Sequence, residues 1–272
     1  MTSVSVIVVT YKTGVRLKEC LYALSADPDV GDVVIVDNGN PPDMLDWLRA
    51  FEAKCDTVSL ITGHGNIGFG AGVNLGVKTT AQEQILVINP DAVIRRGSVP
   101  SMQSVAAVLP TPWIVGGKIF DLWGHETRGA RRRELTLWRA AASLAGMNTW
   151  TLEQTPPPEH AVEMPVISGA FFLTSKASLA VLDGFDEAYF LHVEDVDLCR
   201  RCREAGGTVM YDPNAGALHF GSTSDASSKT VAKHKADSLV TYFRKFARSP
   251  LEKMLVAIAM PVMRIGMRLS GR

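Results

Sequence analysis

The sequence predicts an α/β fold: a doubly wound, mostly parallel sheet with helices on both faces. Two observations carry that expectation. Short β-branched apolar runs stand at 4–10, 33–36, 57–62 and 85–89, as strands covered on both faces require. Segments with apolar residues at helical spacing lie between them, so strand and helix alternate four times in the first hundred residues.

The elements follow in order. Val4–Thr10 (VSVIVVT) reads as a central strand, because β-branched side chains suit a pleated, packed surface. Leu17, Cys20, Leu21 and Leu24 then place a helix back on the sheet, with Cys20 in its buried stripe. Val33–Val36 is the second strand, ending in Asp37 and Asn38; Pro41 and Pro42 open a helix carrying Leu45, Trp47 and Leu48. Thr57–Thr62 is the third, followed by a glycine-dense turn and a helix of small residues. The fourth strand, in QILVINPDAVI (84–94), stops at Pro90, which has no N–H for a ladder. Beyond Ser98 the pattern weakens. Trp113–Phe120 and Val166–Ser175 are expected as strands, and 121–158 as an Arg- and Trp-containing insertion over the sheet edge. A helix in 186–206 is stopped by Gly206 and Gly207, one or two strands fall in 209–220, and the chain from Ser227 is helical in pattern.

Composition narrows the classes. A hydrophobic share of 46% over 272 residues disfavours both disorder and a multi-span membrane protein. The 28 basic and 28 acidic residues cancel, so nothing draws the whole chain to nucleic acid. The charge is uneven, however: residues 225–272 carry ten Lys or Arg against three Asp or Glu, and Arg128, Arg131, Arg132, Arg133 and Arg139 form a second basic cluster. Four scattered cysteines make no disulfide framework, and the first strand starts too early for a signal peptide; both suggest the cytoplasm.

Three stretches carry chemistry. Asp91 is held just past the fourth strand's carboxyl end, where open α/β sheets bind ligands and where a carboxylate suits a divalent cation on phosphate oxygens; Asn-Pro-Asp is equally a common turn. Gly63–Gly68 matches the dinucleotide pattern G-x-G-x-x-G with Asp91 about 20 residues on. It follows the third strand instead of the first, which argues against a nicotinamide cofactor and leaves a phosphate-binding loop or a tight packing turn. Glu194, Asp195 and Asp197 cluster at a helix start, where acidic residues also simply complement the helix dipole. The apolar AYFLHV run before them suggests a partly dry cleft that would raise a carboxylate's pKa. Cys199-x-x-Cys202, with no second ligand pair, reads as core packing and not as a zinc site.

Taken together, VSVIVVTYK, VIVDNGN, GNIGFGAGVN, NPDA, ISGAFF, GFDEAYFLHVEDVDLCRRCREAGG and ALHFGSTS, in that order from Val4 to Ser224, resemble the GT-A fold glycosyltransferases of family 2. The branch they look most like is the bacterial rhamnosyltransferases that build cell-surface polysaccharide. The resemblance implies a Rossmann-like nucleotide-binding half (1–98), an acceptor-binding half (99–224) and a basic helical tail (225–272). It implies that Thr10 and Tyr11 flank the nucleotide base and that Asp37 bonds its edge. Asn66, Gly68 and Gly72 would line the nucleotide and diphosphate. Asn89-Pro-Asp91 stands where the family carries Asp-x-Asp, with Asn first, so Asp91 is the one carboxylate there and His219 supplies the second ligand to Mg²⁺ or Mn²⁺. Asp195, beside Glu194, matches the catalytic base.

The sequence thus predicts an inverting, metal-dependent transfer of a sugar such as rhamnose. The donor would be a dTDP- or UDP-linked sugar and the acceptor a glycan or lipid-linked saccharide; nucleic acid is not an expected partner. Residues 251–269 combine an apolar body with Lys253, Arg264, Arg268 and the following Arg272, as in an interfacial helix kinked at Pro261 and resting on the inner face of the membrane. A helix closing the domain, or a homodimer interface, is the alternative. The arginine-rich insertion would grip a lipid diphosphate or the membrane surface, or be a solvated loop. The rival functions are an NAD(P)-dependent oxidoreductase and a non-catalytic nucleotide- or glycan-binding module.

Overall fold

The computed structural model describes residues 3–127, 129–144, 147, 156, 158–221 and 227–270. Arg128, Arg272, the end of the family-like stretch at 222–224 and the side chain of Arg268 lie outside the described residues.

Strands β1 (Val4–Thr10), β2 (Val30–Asp37), β3 (Val58–Ile61) and β4 (Gln84–Ile88) pair in parallel in the order β3-β2-β1-β4. The sheet continues from β4 through β10 (Phe171–Ser175), β6 (Trp113–Phe120) and β11 (Thr208–His219) to the short β5 (Ala92–Ile94). β10 is antiparallel to both its neighbours, β6 and β11 are parallel, and β8 (Val162–Glu163) pairs with β11. The expected α/β architecture is present, with the parallel half carrying the amino-terminal end of the chain.

Alternation explains why the strands are mostly apolar on both faces. In β1, Val4, Val6 and Val8 face a core with α1 (Arg16–Ser25), α2 (Pro42–Glu52) and α4 (Ser98–Ala106). Ile7 and Val9 face the opposite core, built from α3 (Phe69–Val77), α6 (Lys176–Val181), α7 (Glu194–Glu204) and α8 (Ser228–Phe246). Burying each such side chain stabilises by roughly 1.5–3 kcal/mol, and the polar Ser5 among them is accommodated by donating to Asp32 at 2.6 Å.

Four details differ from expectation. In α2 the fully buried positions are Met44, Leu48 and Phe51, while Trp47 lies partly exposed and stacks on Phe51 with ring centroids 5.0 Å apart. The segment 166–175 is two strands, β9 (Val166–Ile167) and β10, because Ser168, Gly169 and Ala170 leave the ladder to serve the site described below. The insertion is only partly a loop: β7 (Arg131–Arg132) pairs with β9, and α5 (Leu137–Leu144) follows. Arg131, expected in a ligand-gripping basic cluster, is buried instead. It pairs with Glu126 at 2.7 Å, and Glu126 also accepts from the Tyr211 hydroxyl at 2.5 Å.

The carboxyl-terminal segment divides. Val240, Tyr242 and Phe243 of α8 share a core with Ile7 of β1, and Lys245 reaches Asp186 at 2.6 Å and the fully buried Asp197 at 2.7 Å. α9 (Pro250–Ser270) buries Val256 and Met260 but exposes Leu251, Met254, Leu255 and Ile258 at helical spacing; it continues through Pro261. Among the described residues, no helix is long and apolar enough to cross a membrane.

Candidate active site

The site begins where β4 ends. The Asn89 N–H donates to the Ala170 carbonyl at 2.9 Å, and the Ala92 N–H donates back to the Asn89 carbonyl at 3.1 Å. This tight turn holds Asp91 buried at the carboxyl edge of the sheet. β5 then pairs antiparallel with β11 so that Ala92 stands opposite His219. That register brings Asp91 Oδ1 to 3.0 Å from His219 Nε2, with Asn89 Nδ2 3.3 Å from the same nitrogen.

The pair has the spacing a shared cation needs. Two adjacent ligands on an octahedral ion, each about 2.1 Å from it, lie about 3 Å apart. A carboxylate oxygen with an imidazole nitrogen suits Mn²⁺ or Mg²⁺ completed by oxygen ligands. No group of three or more His, Cys, Asp or Glu side chains able to hold a metal occurs among the described residues, so the remaining ligands would come from substrate and water. Beside the turn, the Cys20 thiol lies 3.6 Å from the Asn89 carbonyl, and burial together with the Asp91 charge pushes its pKa up.

The ends of β1 and β2 form a second wall. Asp37 is buried, and its Oδ1 accepts from the Gly39 N–H at 3.1 Å, the Asn40 N–H at 2.9 Å and Asn40 Nδ2 at 2.7 Å. Its Oδ2 accepts from the Thr62 hydroxyl at 2.9 Å. Tyr11 is half-buried beside Gly39, whereas the Thr10 side chain is internal, donating to the Thr13 hydroxyl at 2.9 Å. The glycine loop closes on this turn: Asn38 Nδ2 donates to the Gly68 carbonyl at 2.9 Å, and His64 Nε2 lies 3.0 Å from Asn38 Oδ1. Asn66 is exposed and its Oδ1 accepts from the Gly68 N–H at 3.1 Å.

The glycines in the loop do different work. Gly68 has φ +91°, and a Cβ there would stand 2.5 Å from the Phe190 carbonyl oxygen, so only glycine fits the turn against that backbone. Gly72 is buried, and a Cβ would stand 2.9 Å from Val9 Cγ1. It lets α3 press onto β1, the packing alternative that the sequence left open.

The acidic pair sits on the third wall. His192 and Val193, both with positive φ, turn the chain sharply into α7. Asp195 Oδ2 accepts from the Gly169 N–H at 2.8 Å and from Arg132 Nη2; Oδ1 accepts from the Val196 N–H at 2.8 Å. Arg132 also donates to the Ile167 carbonyl at 3.0 Å. Glu194 is buried, and its Oε2 has no hydrogen-bond partner. Burial, reinforced by the Asp195 charge, pushes its carboxyl up to about 8. Asp197 stands apart from this pair: it is tied to Arg201 at 2.5 Å, Tyr189 and Lys245, which makes it an anchor for α8.

One turn joins the two walls. Gly169 donates to Asp195 while Ala170, the next residue, accepts from Asn89. A Cβ at Gly169 would lie 3.0 Å from Asp195 Cβ, so the absence of a side chain there sets how closely the carboxylate approaches. Asp195 and the Asn89–Asp91 turn are therefore tied to each other through one turn, while His219 is set against Asp91 by the β5–β11 pairing.

A family model described as glycosyltransferase-like family 2 matches residues 2–241. The chain belongs to this family. It is therefore a glycosyltransferase, a hexosyltransferase of family 2. Among curated relatives, the N-acetylglucosaminyl-diphospho-decaprenol L-rhamnosyltransferase of Mycobacterium tuberculosis is 28% identical over 85% of this chain and 81% of the relative. The rhamnosyltransferase WbbL of Escherichia coli K12 is 24% identical over 90% and 93%. Two solved structures share the fold. GalNAc-T7 with UDP, GalNAc and Mn²⁺ has a TM-score of 0.66 at 11% identity; the family 2 chain is covered over 99% and spans 55% of that protein. A Pyrobaculum calidifontis mannosyltransferase with GDP-Man and Mn²⁺ has a TM-score of 0.59 at 14% identity over 98% and 73%.

The sequence reading of this family 2 site left out Arg132 and Gly169. Gly169 lay inside the quoted ISGAFF motif without a role. Arg132 was hidden in a run of three arginines, where nothing local separates the one that meets Asp195 from the one that meets Glu126.

Proposed function

We propose that this glycosyltransferase moves rhamnose, with inversion, from a nucleoside-diphosphate donor to a saccharide carried on a lipid diphosphate, in the building of cell-surface polysaccharide. The observation that carries the reading is the turn at Ser168–Ala170, which ties Asp195 to the Asn89–Asp91–His219 cluster. The printed activities of the mycobacterial and E. coli relatives favour rhamnose and a diphospho-lipid acceptor.

Asp91 and His219 would hold Mg²⁺ or Mn²⁺, which supplies charge neutralisation for the leaving diphosphate. Asn89 Nδ2 lies beside the same His219 nitrogen that faces Asp91, so the three side chains converge on one point. Asp37, Tyr11 and Asn40 offer the polar edge and half-buried ring that a nucleotide base needs, with Asn66 and Gly68 next to it. Asp195 receives the proton of the acceptor hydroxyl, as a single carboxylate without a second nucleophile implies for one inverting displacement. Glu194, whose carboxyl its buried setting favours in the neutral form, adds little negative charge of its own beside Asp195. The NAD(P) reading loses its support, because family membership and the packing of Gly72 on Val9 both account for the glycine run differently. The exposed Leu251, Met254, Leu255 and Ile258 face, in a basic segment, favours peripheral contact with an anionic membrane surface on the cytoplasmic side, where a lipid-linked acceptor would be met.

Asp195→Asn is the direct test. Turnover should fall by roughly 10²–10⁴-fold, while calorimetric binding of the nucleoside diphosphate with Mn²⁺ persists. Turnover near the wild-type value would remove Asp195 from the reaction.

A further inference from the structure

Asp195 has to present one oxygen to the acceptor hydroxyl, and its contacts decide which. A carboxylate oxygen accepts about two hydrogen bonds, one for each lone pair. Oδ2 already accepts from the Gly169 N–H at 2.8 Å and from Arg132 Nη2, whereas Oδ1 accepts only from the Val196 N–H at 2.8 Å. The backbone donors come with the fold, one from the Ser168–Ala170 turn and one from the first turn of α7. Among the described residues, Arg132 is the one side chain that donates to this carboxylate.

β7 delivers that side chain. Successive residues of a strand point to opposite faces. Arg131 therefore turns inward, where it is buried against Glu126 at 2.7 Å with its guanidinium 5.3 Å from the Tyr211 ring centroid. Arg132 turns the other way, to Asp195. In the β7–β9 pairing Arg132 stands opposite Val166, so the strand carrying the cation runs beside the segment that leads to Gly169. Arg132 Nη2 has two N–H groups and two acceptors: the Ile167 carbonyl at 3.0 Å, which the fold holds in place, and Asp195 Oδ2. Its buried Nε has no hydrogen-bond partner. The head of the side chain is thus aimed at these two acceptors even though one of its own donors goes unmet.

We propose that Arg132 is a positioning residue: by occupying Oδ2 it holds Asp195 in the orientation that offers Oδ1 to the acceptor, a role that rests on the reading of Asp195 as the group receiving the acceptor's proton. In that orientation the acceptor O–H bond breaks and its proton passes to Oδ1. The acceptor oxygen forms the bond to the anomeric carbon, and the diphosphate leaves with the electron pair of the bond it gives up. Arg132 acts through Asp195 alone and touches neither sugar. The insertion between β6 and β8 then has a part in the chemistry, because it carries β7, anchored by Arg131, to the edge of the site.

A double-mutant cycle tests this. Arg132→Met and Arg132→Lys are each made in the wild type and in Asp195→Asn, and kcat, acceptor KM and calorimetric affinity for the nucleoside diphosphate with Mn²⁺ are measured for all. Displacing a reacting group by about 1 Å can cost about 10²-fold, so in the wild type Arg132→Met should lower kcat by about 10–100-fold with nucleoside-diphosphate affinity held. Arg132→Lys keeps a cation without the planar fork and should recover part of that loss; it also carries the cycle if Arg132→Met does not fold. In the Asp195→Asn background neither substitution should lower kcat by more than about a further twofold, because no carboxylate is left to position. Equal losses in the two backgrounds would mean that Arg132 acts independently of Asp195, and the proposal is overturned. Wild-type kcat in both Arg132 variants overturns it as well, and so does a loss of nucleoside-diphosphate affinity, which would assign the cation to the donor. Wild-type turnover in Asp195→Asn alone is a different result: it removes Asp195 from the reaction, and the role of Arg132 with it.

Discussion

Gly169→Ala probes the unit that joins the two halves of the site. The added Cβ would lie 3.0 Å from Asp195 Cβ and 3.3 Å from its Oδ2, against about 3.5–4.0 Å for a relaxed carbon contact. Gly169 is not among the residues with left-handed backbone, so alanine incurs no dihedral penalty and the whole effect is this contact. Asp195 must retreat by about half an ångström, stretching the 2.8 Å N–H bond to Oδ2. A hydrogen bond to a charged group contributes roughly 1.5–3 kcal/mol; partial loss gives about 1–2 kcal/mol, or a Tm lower by about 2–6 °C at this chain length. Displacing a reacting group by about 1 Å can cost about 10²-fold, so kcat should fall by about 10–100-fold, with donor KM nearly unchanged because Asp91 and His219 are not touched. Steady-state kinetics with a thermal melt decide it. A variant that melts lower yet retains wild-type kcat would show that the turn is structural only and that Asp195 placement does not limit the reaction.

Three further outcomes follow from the same contacts. His219→Ala should weaken Mn²⁺-dependent nucleoside-diphosphate binding by about tenfold or more while leaving metal-free binding alone, read by calorimetry with and without EDTA. Glu194→Gln should flatten the pH dependence of stability. The carboxyl titrates near 8 when folded and near 4.5 when unfolded, so its favourable contribution is complete below about 4.5 and is lost as pH rises toward 8. Relative to the variant, wild type should therefore lose stability over that window by at most about 1.4 kcal/mol per pH unit, and a parallel pair of Tm profiles would refute the assignment. Lys245→Met removes one of the cations on the fully buried Asp197. Because Arg201 remains, the cost should be about 1–3 kcal/mol, and a variant of unchanged denaturation midpoint would mean that the Lys245 pairs contribute nothing to holding α8.

How much was legible beforehand depended on the range over which each signal acts. The β1–β4 strands were readable because β1 is buried throughout and β2 and β4 bury four or five successive residues each, and local composition alone reports that. The Asn89–Asp91 turn was readable because proline stops a ladder wherever it stands. The break at Ser168–Ala170 was not, since VISGAFFLTS has the composition of one strand; what interrupts it is a hydrogen bond to Asp195, 26 residues on. In the same way α8 reads as a basic tail in sequence, and becomes part of the core only through contacts with distant segments: Tyr242 meets Arg200 of α7, Ser238 the Leu191 carbonyl, and Lys245 Asp186 and Asp197.

By itself, then, the sequence determined the α/β layering, the placement of Asp91 at a strand's carboxyl edge and the acidic start of α7, because each is set by residues within a few positions of one another. Only the tertiary structure decided that His219 meets Asp91, that Gly72 packs while Gly68 turns, and which of three consecutive arginines reaches Asp195. These are matters of register and of contacts between distant elements, and a one-residue slip in the pairing of β11 with β5, or of β7 with β9, would turn each of those side chains to the opposite face.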